Sequence, residues 1–314
     1  MTNPALAFVF PGQGSQQIGM LADAAQAFPE VVATFSEASS VLGYDLWDLC
    51  QNGTQEEINQ TERTQPLLLT SSVALYRAWQ AQGGAVPATM AGHSLGEWSA
   101  LVCSGVLAFE DAVRLVRERG RLMQEAVPAG EGAMAAVIGL DDQAVEAACA
   151  ESAQGAVVAA VNYNSPGQVV IAGSAAAVER AIEACKSAGA KRALPLPVSA
   201  PFHTELMRPA AEKLAPQIEA TAFHAPEIPV IHNVHAKTES DPAAIKALMV
   251  EQIYSPVRWT ECVQAMASSG TQQLVECGPG KVLAGLAKRI DRSPSAFNIE
   301  KPEQLSDAVK AVAS

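Results

Sequence analysis

The sequence predicts an α/β protein whose largely parallel sheet is interrupted by a small inserted domain of the ferredoxin-like type. Short apolar runs alternate with longer helical patterns along most of the 314 residues, which is typical of a parallel sheet covered by helices. Between about 128 and 197 the order of elements changes to β-α-β-β-α-β, the ferredoxin-like order. We therefore expect a core made of residues 1–127 and 198–314 and an inserted subdomain at 128–197.

The predicted elements follow from apolar periodicity and from the glycines and prolines that bound each run. Before the insertion they are a strand at 6–10, a helix at 66–82 with Pro66 in its first turn, a strand at 88–91 and a helix at 111–127. Within the insertion they are strands at 132–140, 157–161, 168–172 and 193–198, with helices at 141–150 and 174–188. After the insertion they are a helix from about 204, a strand at 228–234, helices within 242–268, a strand at 273–277 and a final helix.

Composition excludes several classes of protein. Hydrophobic residues make up 49% of the chain and charged residues 17%, which excludes wholesale disorder. With 21 Lys and Arg against 33 Asp and Glu the net charge is −12, so we expect no nucleic-acid partner. No apolar run approaches the ~18 residues of a membrane span, and the N-terminus does not resemble a signal peptide, so we expect no membrane insertion. Six cysteines without a C-x-x-C pair are typical of reduced thiols in a cytoplasmic protein. The classes of protein that remain are an enzyme and a binding module.

The strongest motif is G-x-S-x-G, from Gly92 to Gly96, between a predicted strand and a predicted helix. This context is typical of a nucleophile elbow, in which a tight strand-to-helix turn exposes the serine. Glycines two residues before and after Ser94 avoid clashes in such a turn, and the helix N-terminus offers N–H groups to an oxyanion. The alternative is a glycine-rich turn in which Ser94 only caps a helix, and we favour the nucleophile.

A nucleophilic serine requires a base, and five histidines are available. We favour His203, which follows a predicted strand at the start of a helix in the sequence VSAPFHTELM. His93 is adjacent to Ser94 and should point away from it. Ordinary partly buried or surface histidines are the interpretation for His224, His232 and His235. A zinc site from the last two is a weaker hypothesis, because no carboxylate or cysteine has useful spacing. No histidine follows them, so the residue order of an ordinary α/β-hydrolase is not clearly met, which disfavours an ordinary esterase.

Arg119 lies on the apolar side of the predicted helix at 111–127. At roughly 100° per residue it falls about 40° from Leu115, inside the apolar arc, whereas the neighbouring arginines fall on the opposite side. An inward guanidinium requires a counter-charge, since an unpaired buried charge is very costly. We give equal weight to two interpretations: Arg119 forms an internal salt bridge, or its guanidinium fork binds a substrate carboxylate bidentately.

The turn PGQGSQ at 11–16 is a weaker motif. It lacks the Lys-Ser/Thr of a phosphate loop, and Gln17 replaces the last glycine of G-x-G-x-x-G. It is either a plain turn between a strand and a helix or a source of a backbone N–H, near Gln13, for an oxyanion.

Together these residues resemble the malonyl-CoA:acyl-carrier-protein transacylase family, the acyltransferases of bacterial type II fatty acid synthesis. The matching segments are FVFPGQGSQ, TQPLLLTSSVAL, AGHSLGE, RGRLMQEAVP, GAMAAVIGL, NYNSPGQVVIAG, PFH, EQIYSPVRW and ECGPGKVL, which extend from residue 8 to beyond residue 280. The resemblance implies an α/β-hydrolase-like core with a ferredoxin-like insertion and a site in the cleft between them.

The resemblance also implies the catalytic roles. Ser94 would accept the acyl group, and His203 would be its general base. The backbone carbonyl of Gln252 would orient His203, where a triad would use an acid. Backbone N–H groups of Gln13 and Leu95 would form the oxyanion hole.

For substrate binding, the resemblance implies that Arg119 holds the malonyl carboxylate. Met123, Asn162 and Asn164 would line the site less critically. Phe202 resembles the residue of malonyl-selecting members, in which bulk disfavours a branched methylmalonyl group.

The implied reaction is ping-pong transfer of a malonyl group from malonyl-CoA, through a malonyl-serine ester, to the phosphopantetheine thiol of acyl carrier protein, which supplies fatty acid elongation. We expect no bound cofactor or metal, and a cytoplasmic monomer whose partners are acyl carrier protein and CoA thioesters. The alternatives are a serine esterase or thioesterase, a polyketide or malonate-decarboxylase malonyltransferase, and a non-catalytic acyl-binding subunit.

Acyl carrier proteins are typically acidic, and this chain is acidic too, so a local basic patch is needed for association. The candidates are Lys191, Arg192, Lys281, Lys288 and Arg289. For each of them alone, a solvated mixed surface is the alternative.

Overall fold

A computed structural model describes residues 1–198 and 200–313, and these form two sheets covered by helices. The strands are β1 (Thr2–Phe10), β2 (Val86–Gly92), β3 (Gly132–Ile138), β4 (Val158–Ser165), β5 (Gln168–Ser174), β6 (Arg192–Pro195), β7 (Val230–Ile231), β8 (Gln273–Glu276) and β9 (Ser295–Asn298). The helices of the first half are α1 (Ala22–Ala27), α2 (Pro29–Leu42), α3 (Leu46–Asn52), α4 (Gln55–Ile58), α5 (Thr61–Ala81), α6 (Leu95–Cys103) and α7 (Phe109–Glu125). Those of the second half are α8 (Asp142–Ala153), α9 (Ala175–Ser187), α10 (Arg208–Ala220), α11 (Pro242–Glu251), α12 (Trp259–Ser268), α13 (Val282–Ile290) and α14 (Pro302–Ala313), with 3-10 turns at Glu205–Met207 and Gln252–Tyr254.

The larger sheet is parallel and has the strand order β7-β2-β1-β8-β9. Its central strand β1 is buried without interruption from Leu6 to Phe10, because helices cover both faces of the sheet. Phe8 and its neighbours on one face pack against the helices that precede the insertion. Ala7 and Val9 on the other face pack against residues of α12 and α13. The predicted α/β class with a largely parallel sheet is confirmed.

The ends of β1 and β2 bring two sequence motifs together. Phe10 pairs with Gly92 at the carboxyl ends of the two parallel strands. The turn at 11–16 therefore leaves the sheet beside the G-x-S-x-G segment. Gly12 and His93 are in direct contact: a Cβ added to Gly12 would overlap the backbone oxygen of His93. Parallel strands place their following loops on one edge of a sheet, which is where α/β proteins assemble sites.

The smaller sheet is antiparallel, with the strand order β4-β5-β3-β6. The chain order from β3 through α8, β4, β5 and α9 to β6 is the predicted β-α-β-β-α-β order, and the sheet order is that of a ferredoxin-like unit. Alternate strand residues such as Val169 and Ile171 pack against α8 and α9 in a separate hydrophobic cluster. The domain boundaries at 128 and 197 stay a prediction.

The β4 strand connects the two sheets. Val257, just before α12, donates its N–H to Val161 at 2.7 Å and accepts the N–H of Tyr163 at 3.0 Å. Thr260 adds a side-chain hydrogen bond to the carbonyl of Tyr163. The β4 edge of the small sheet is thereby held against the core, next to the elbow.

The strand predicted at 228–234 is wrong in its length. Only Val230 and Ile231 pair with β2, because the chain turns at once into a tight loop. In that loop His232 donates its N–H to the carbonyl of Lys237 at 2.9 Å. The next two residues, His232 and Asn233, are polar, and both side chains are buried in the core behind Ser94.

Other differences concern elements that local patterns mark weakly. The helix predicted at 66–82 begins five residues earlier, and Pro66 lies inside it at the sixth position. Only one backbone donor is lost there, which a 21-residue helix tolerates in its second turn. Helices α1 to α4, strand β9 and helix α14 were not predicted. In the described part of the chain, no helix combines the length and apolar character that crossing a membrane requires.

Candidate active site

Ser94 occupies a strained turn between β2 and α6. Its backbone has φ 52° and ψ −109°, a conformation that non-glycine residues rarely adopt. A Cβ on Gly92 would overlap the backbone of Gly96, and a Cβ on Gly96 would overlap the carbonyl oxygen of Phe10. Both glycines of the motif are therefore required by close backbone approach. This is the geometry of a nucleophile elbow, as the motif predicts.

His203 is in hydrogen-bond contact with Ser94. Its Nε2 lies 2.8 Å from Ser94 Oγ, and its Nδ1 lies 2.9 Å from the backbone oxygen of Gln252. A carbonyl oxygen only accepts, so Nδ1 carries the hydrogen and Nε2 is left to accept the serine proton. The structure thus places together the serine, the histidine and the carbonyl that the sequence analysis singled out.

Burial sets the protonation of His203. Its side chain is almost fully buried, and desolvation together with the nearby Arg119 cation lowers its pKa to about 3. The imidazole is therefore neutral at neutral pH, the form that can take a proton from Ser94.

Arg119 points into the protein, as the helical wheel predicts, and is 1% exposed. Nη1 donates to Gln65 Oε1 at 2.9 Å, and Nη2 donates to Gln252 Oε1 at 3.0 Å and to Ser94 Oγ at 3.2 Å. None of these bonds, within the residues described, goes to a carboxylate, and the buried Nε has no partner. Burial lowers the pKa of Arg119 to about 10, which Glu97 partly opposes, so the guanidinium stays charged. Of the two interpretations, the internal salt bridge is wrong.

A cavity of about 130 Å³ opens in front of these groups. Ser94, Arg119 and His203 line it together with five further residues singled out from the sequence: Gln13, Leu95, Met123, Asn162 and Phe202. The sequence analysis missed Gln65, Met134, Leu196 and Val198, which also line it. Its walls come from both sheets: Gln13 and Ser94 follow β1 and β2 of the large sheet, and Met134 and Asn162 are in β3 and β4 of the small sheet.

Leu95 and Gln13 both line the cavity with the serine. Leu95 is the first residue of α6, where a backbone N–H has no acceptor within the helix. Gln13 lies in the turn after β1, and its side chain is 3.4 Å from Thr61 Oγ1. The positive end of the α6 dipole adds to the field in this corner of the cavity.

Asn164 does not line the cavity, although the resemblance implied that it would. His93 does line the cavity, and its expected direction, away from Ser94, stays a prediction. The Oδ1 of Asn164 lies 2.7 Å from Nε2 of His93. Asn164 therefore holds the elbow to the small sheet.

The sequence analysis also missed a group of polar side chains behind the serine. Asn233 accepts the backbone N–H of Ser94 at 2.8 Å and donates to the carbonyl of Gly92 at 2.7 Å. The Gln252 side chain and Glu97 complete the group. Gln65 could have been found from the sequence, since it is a polar residue on the apolar face of a long helix. No sequence pattern marks Asn233.

The predicted basic residues lie in two groups. Lys288 and Arg289 are exposed in the last turn of α13, and Arg289 donates to Gln168 Oε1 at 3.1 Å. The Lys191 side chain lies over Gly139. The backbone N–H of Gly139 donates to the carbonyl of Gly167, which is in the turn before Gln168. Arg192 pairs with Ile138, next to Gly139. Four of the candidates therefore border one surface where α13 meets the small sheet: Lys191, Arg192, Lys288 and Arg289. Lys281 lies at the opposite end of α13, two turns away.

No cluster of three or more His, Cys, Asp or Glu side chains suited to a metal ion occurs among the residues that the structure describes. His232 and His235 have ring centroids 6.0 Å apart, but His232 faces Glu97.

Comparison with known proteins agrees with this geometry. The model of the acyl transferase domain family matches residues 7–301. The chain is 60% identical over 304 residues to the malonyl CoA-acyl carrier protein transacylase of Escherichia coli K12, covering 97% of this chain and 98% of that protein. It resembles the crystal structure of an acyl carrier protein S-malonyltransferase from Vibrio cholerae, with 59% identity, a TM-score of 0.95 and coverage of 97% and 99%.

A second similar structure is a complex of a malonyl-transacylase with a type II polyketide synthase acyl-carrier protein. It shares 57% identity and a TM-score of 0.96 with this chain, and the match covers 98% of this chain and 99% of that one. The elbow, the serine–histidine pair and these matches lead to one conclusion: the chain belongs to the acyl transferase domain family, in which its relatives are malonyl CoA-acyl carrier protein transacylases.

Proposed function

We propose that this protein transfers a malonyl group from malonyl-CoA to the phosphopantetheine thiol of an acyl carrier protein, and that this supplies fatty acid elongation. One observation carries the proposal: a buried, charged guanidinium faces the nucleophile cavity and is held by two amide oxygens rather than by a carboxylate. A carboxylate on the acyl group provides the missing counter-charge and fits the fork geometry. The names of the relatives at 60% identity support the same substrates.

In the first half-reaction, Ser94 Oγ attacks the thioester carbonyl carbon while His203 Nε2 takes the hydroxyl proton. The backbone N–H groups of Leu95 and Gln13 stabilise the tetrahedral oxyanion, each such donor contributing ~3 kcal/mol in comparable sites. The carbon–sulfur bond then breaks, and the CoA sulfur takes the proton from His203. Ser94 is left as its malonyl ester.

In the second half-reaction, His203 takes the proton of the phosphopantetheine thiol, and the sulfur attacks the ester carbonyl. The ester bond breaks, Ser94 recovers its proton, and the malonyl group leaves as a new thioester. One thioester replaces another, so the energy of the bond is conserved and neither ATP nor a bound metal is needed.

The lining residues suit a short acyl group with a charged end. Met123 and Phe202 line the cavity, and we expect the bulk of Phe202 to disfavour a branched methylmalonyl group. A hydrolase would share Ser94 and His203, but it has no use for a buried cation beside the nucleophile. All six cysteines are free thiols, which supports a reducing compartment such as the cytoplasm.

The first experiment is intact mass spectrometry after brief incubation with malonyl-CoA, followed by addition of holo acyl carrier protein. We expect a single malonyl adduct on the wild type, no adduct on Ser94→Ala, and discharge of the adduct onto the carrier. Acetyl-CoA is the control substrate. Steady CoA release without an adduct or a carrier product would favour the hydrolase instead, and neither adduct nor release would favour a binding subunit.

Carrier recognition is assigned to the basic surface formed by Lys288, Arg289 and Lys191. Changing Lys288→Glu and Arg289→Glu together should raise the Michaelis constant for carrier protein by about tenfold at low salt, because like charges then oppose docking. The rate of Ser94 loading by malonyl-CoA should stay unchanged in the same variant.

The matched control is Lys213→Glu with Lys237→Glu, which changes the net charge equally. Lys237 lies beside β7, at the opposite edge of the large sheet from α13, and Lys213 is in α10. An equal rise of the Michaelis constant in both double variants would assign the effect to overall charge and not to this surface.

A further inference from the structure

Glu97 is a fully buried carboxylate directly behind the nucleophile. It lies in the first turn of α6 and is held by three donors. His232 Nδ1 is 2.5 Å from Oε1, the backbone N–H of Asn233 donates to Oε2 at 3.1 Å, and Gln252 Nε2 donates to Oε2 at 2.9 Å. The carboxylate does not touch the cavity, and the acyl-transfer steps make no use of it.

The contact with Gln252 determines which way its side-chain amide points. A carboxylate only accepts hydrogen bonds and a guanidinium only donates them. The NH2 group of Gln252 must therefore face Glu97, where it also donates to the carbonyl of Ser94 at 2.9 Å. Its Oε1 is then left to accept Nη2 of Arg119 at 3.0 Å. A reversed amide would set NH2 against the guanidinium and oxygen against the carboxylate, both repulsive.

Glu97 also balances the charge of Arg119 without contacting it. Both groups are buried, and the negative charge of Glu97 opposes the fall in the pKa of Arg119. The Gln252 amide lies between them. A direct ion pair would occupy the guanidinium fork, whereas this arrangement stabilises the cation and leaves its cavity side free for a substrate.

We propose that Glu97 is a positioning residue for substrate selection: through the Gln252 amide it fixes the direction and charge of Arg119, and so sets the preference for an acyl group that ends in a carboxylate. This inference rests on the proposed malonyl transfer. The orientation of His203 does not depend on the same contact, because His203 is held by the backbone oxygen of Gln252 rather than by its side chain. The amide also donates to the Ser94 carbonyl, and this bond acts on the transfer of every acyl group alike.

A purely structural role for Glu97 makes a different prediction. Glu97 also anchors His232 and Asn233, and Asn233 braces the elbow through Gly92 and the N–H of Ser94. Loss of bracing would slow transfer of every acyl group alike. Loss of the relay, by which we mean the hydrogen bonds from Glu97 through the Gln252 amide to Arg119, would slow malonyl transfer selectively.

The test compares Ser94 loading by malonyl-CoA and by acetyl-CoA in Glu97→Gln, which keeps the shape but can present either end to Gln252. We expect kcat/KM for malonyl-CoA to fall about 10- to 100-fold, the range for one charge-assisted hydrogen bond, and that for acetyl-CoA to fall by less than about threefold. Equal losses for the two substrates, or no loss, would overturn the proposal.

The matched control is Glu276→Gln. Glu276 is also fully buried, and it accepts the N–H groups of Leu283 and Ala284 at the start of α13, outside the cavity. Burial raises the pKa of Glu276 to about 7, so at pH 8 this variant reports the cost of neutralising a buried carboxylate elsewhere. Its malonyl-to-acetyl ratio should equal that of the wild type.

Two further variants keep the test decisive if Glu97→Gln does not fold. Gln252→Met removes the amide and retains the backbone oxygen, and it should lower the malonyl-to-acetyl ratio in the same way; an unchanged ratio would contradict the relay. In an Arg119→Ala background, Gln252→Met should not alter the ratio further. A wild type that fails to load malonyl at all would reject the proposed function instead, so the two failures are distinguishable.

Discussion

Replacing Arg119 with alanine is expected to lower kcat/KM for malonyl transfer by about 100- to 1000-fold while transfer of an acetyl group is unchanged or faster. The physical reason is that the buried guanidinium is the group in the cavity that can pair with the malonyl carboxylate, and truncating one partner of a buried charge pair is costly. Acetyl lacks the carboxylate, so the wild-type cation remains without a counter-ion when acetyl binds.

The measurement is the rate of CoA release and of Ser94 loading with each thioester, at equal enzyme concentration. Arg119→Lys is the informative companion, because a lysine keeps the charge and loses the planar fork. We expect it to recover only a small part of malonyl transfer. If Arg119→Ala slows acetyl and malonyl transfer by the same factor, Arg119 acts on the nucleophile and not on the carboxylate.

The second large effect concerns His203 and its dependence on pH. Its pKa is lowered to about 3 by burial and by the Arg119 cation, so the base of the free enzyme is unprotonated throughout the range from about pH 5 to 8. We expect kcat/KM for malonyl-CoA to stay level as the pH falls from 8 to 5. His203→Ala should lower it by about a thousandfold or more, because the serine then has no base.

The same charge argument predicts that kcat and kcat/KM report different pKa values. The Arg119 cation contributes to the low pKa of His203. A malonyl carboxylate bound to Arg119 neutralises that cation, so the pKa of His203 rises in the substrate complex. The acid limb of kcat should therefore appear at higher pH than that of kcat/KM. Stopped measurements of CoA release over this pH range test both statements. A kcat/KM that falls with an apparent pKa near 6.5 would contradict the buried, neutral base.

Several parts of the site could be predicted from the sequence because their causes are local. The elbow follows from the glycines around Ser94, since backbone sterics in one turn dictate them. The inward direction of Arg119 follows from helical periodicity over a single helix. The ferredoxin-like order of the insertion likewise follows from the pattern of short elements along the chain.

Other parts could not be predicted, because the groups that meet are far apart in the chain. Ser94 and His203 are separated by 109 residues, and the Gln252 side chain meets the carbonyl of Ser94 across 158 residues. A local pattern carries no information on such a pairing. The choice of His203 over the other histidines therefore rested on its context, and its implied link to the Gln252 carbonyl rested on family resemblance.

The class of fold, the nucleophile turn and the inward arginine follow from the amino-acid sequence alone, since each depends on the order of neighbouring residues. The partners of that arginine depend on the tertiary structure instead. The short β7 strand turns at Ile231 and brings Asn233 beside Gly92, where it meets Glu97 and Gln252. The directions of the hydrogen bonds within that buried group leave Arg119 with no carboxylate partner among the residues that the structure describes, so its charge can pair with a substrate carboxylate.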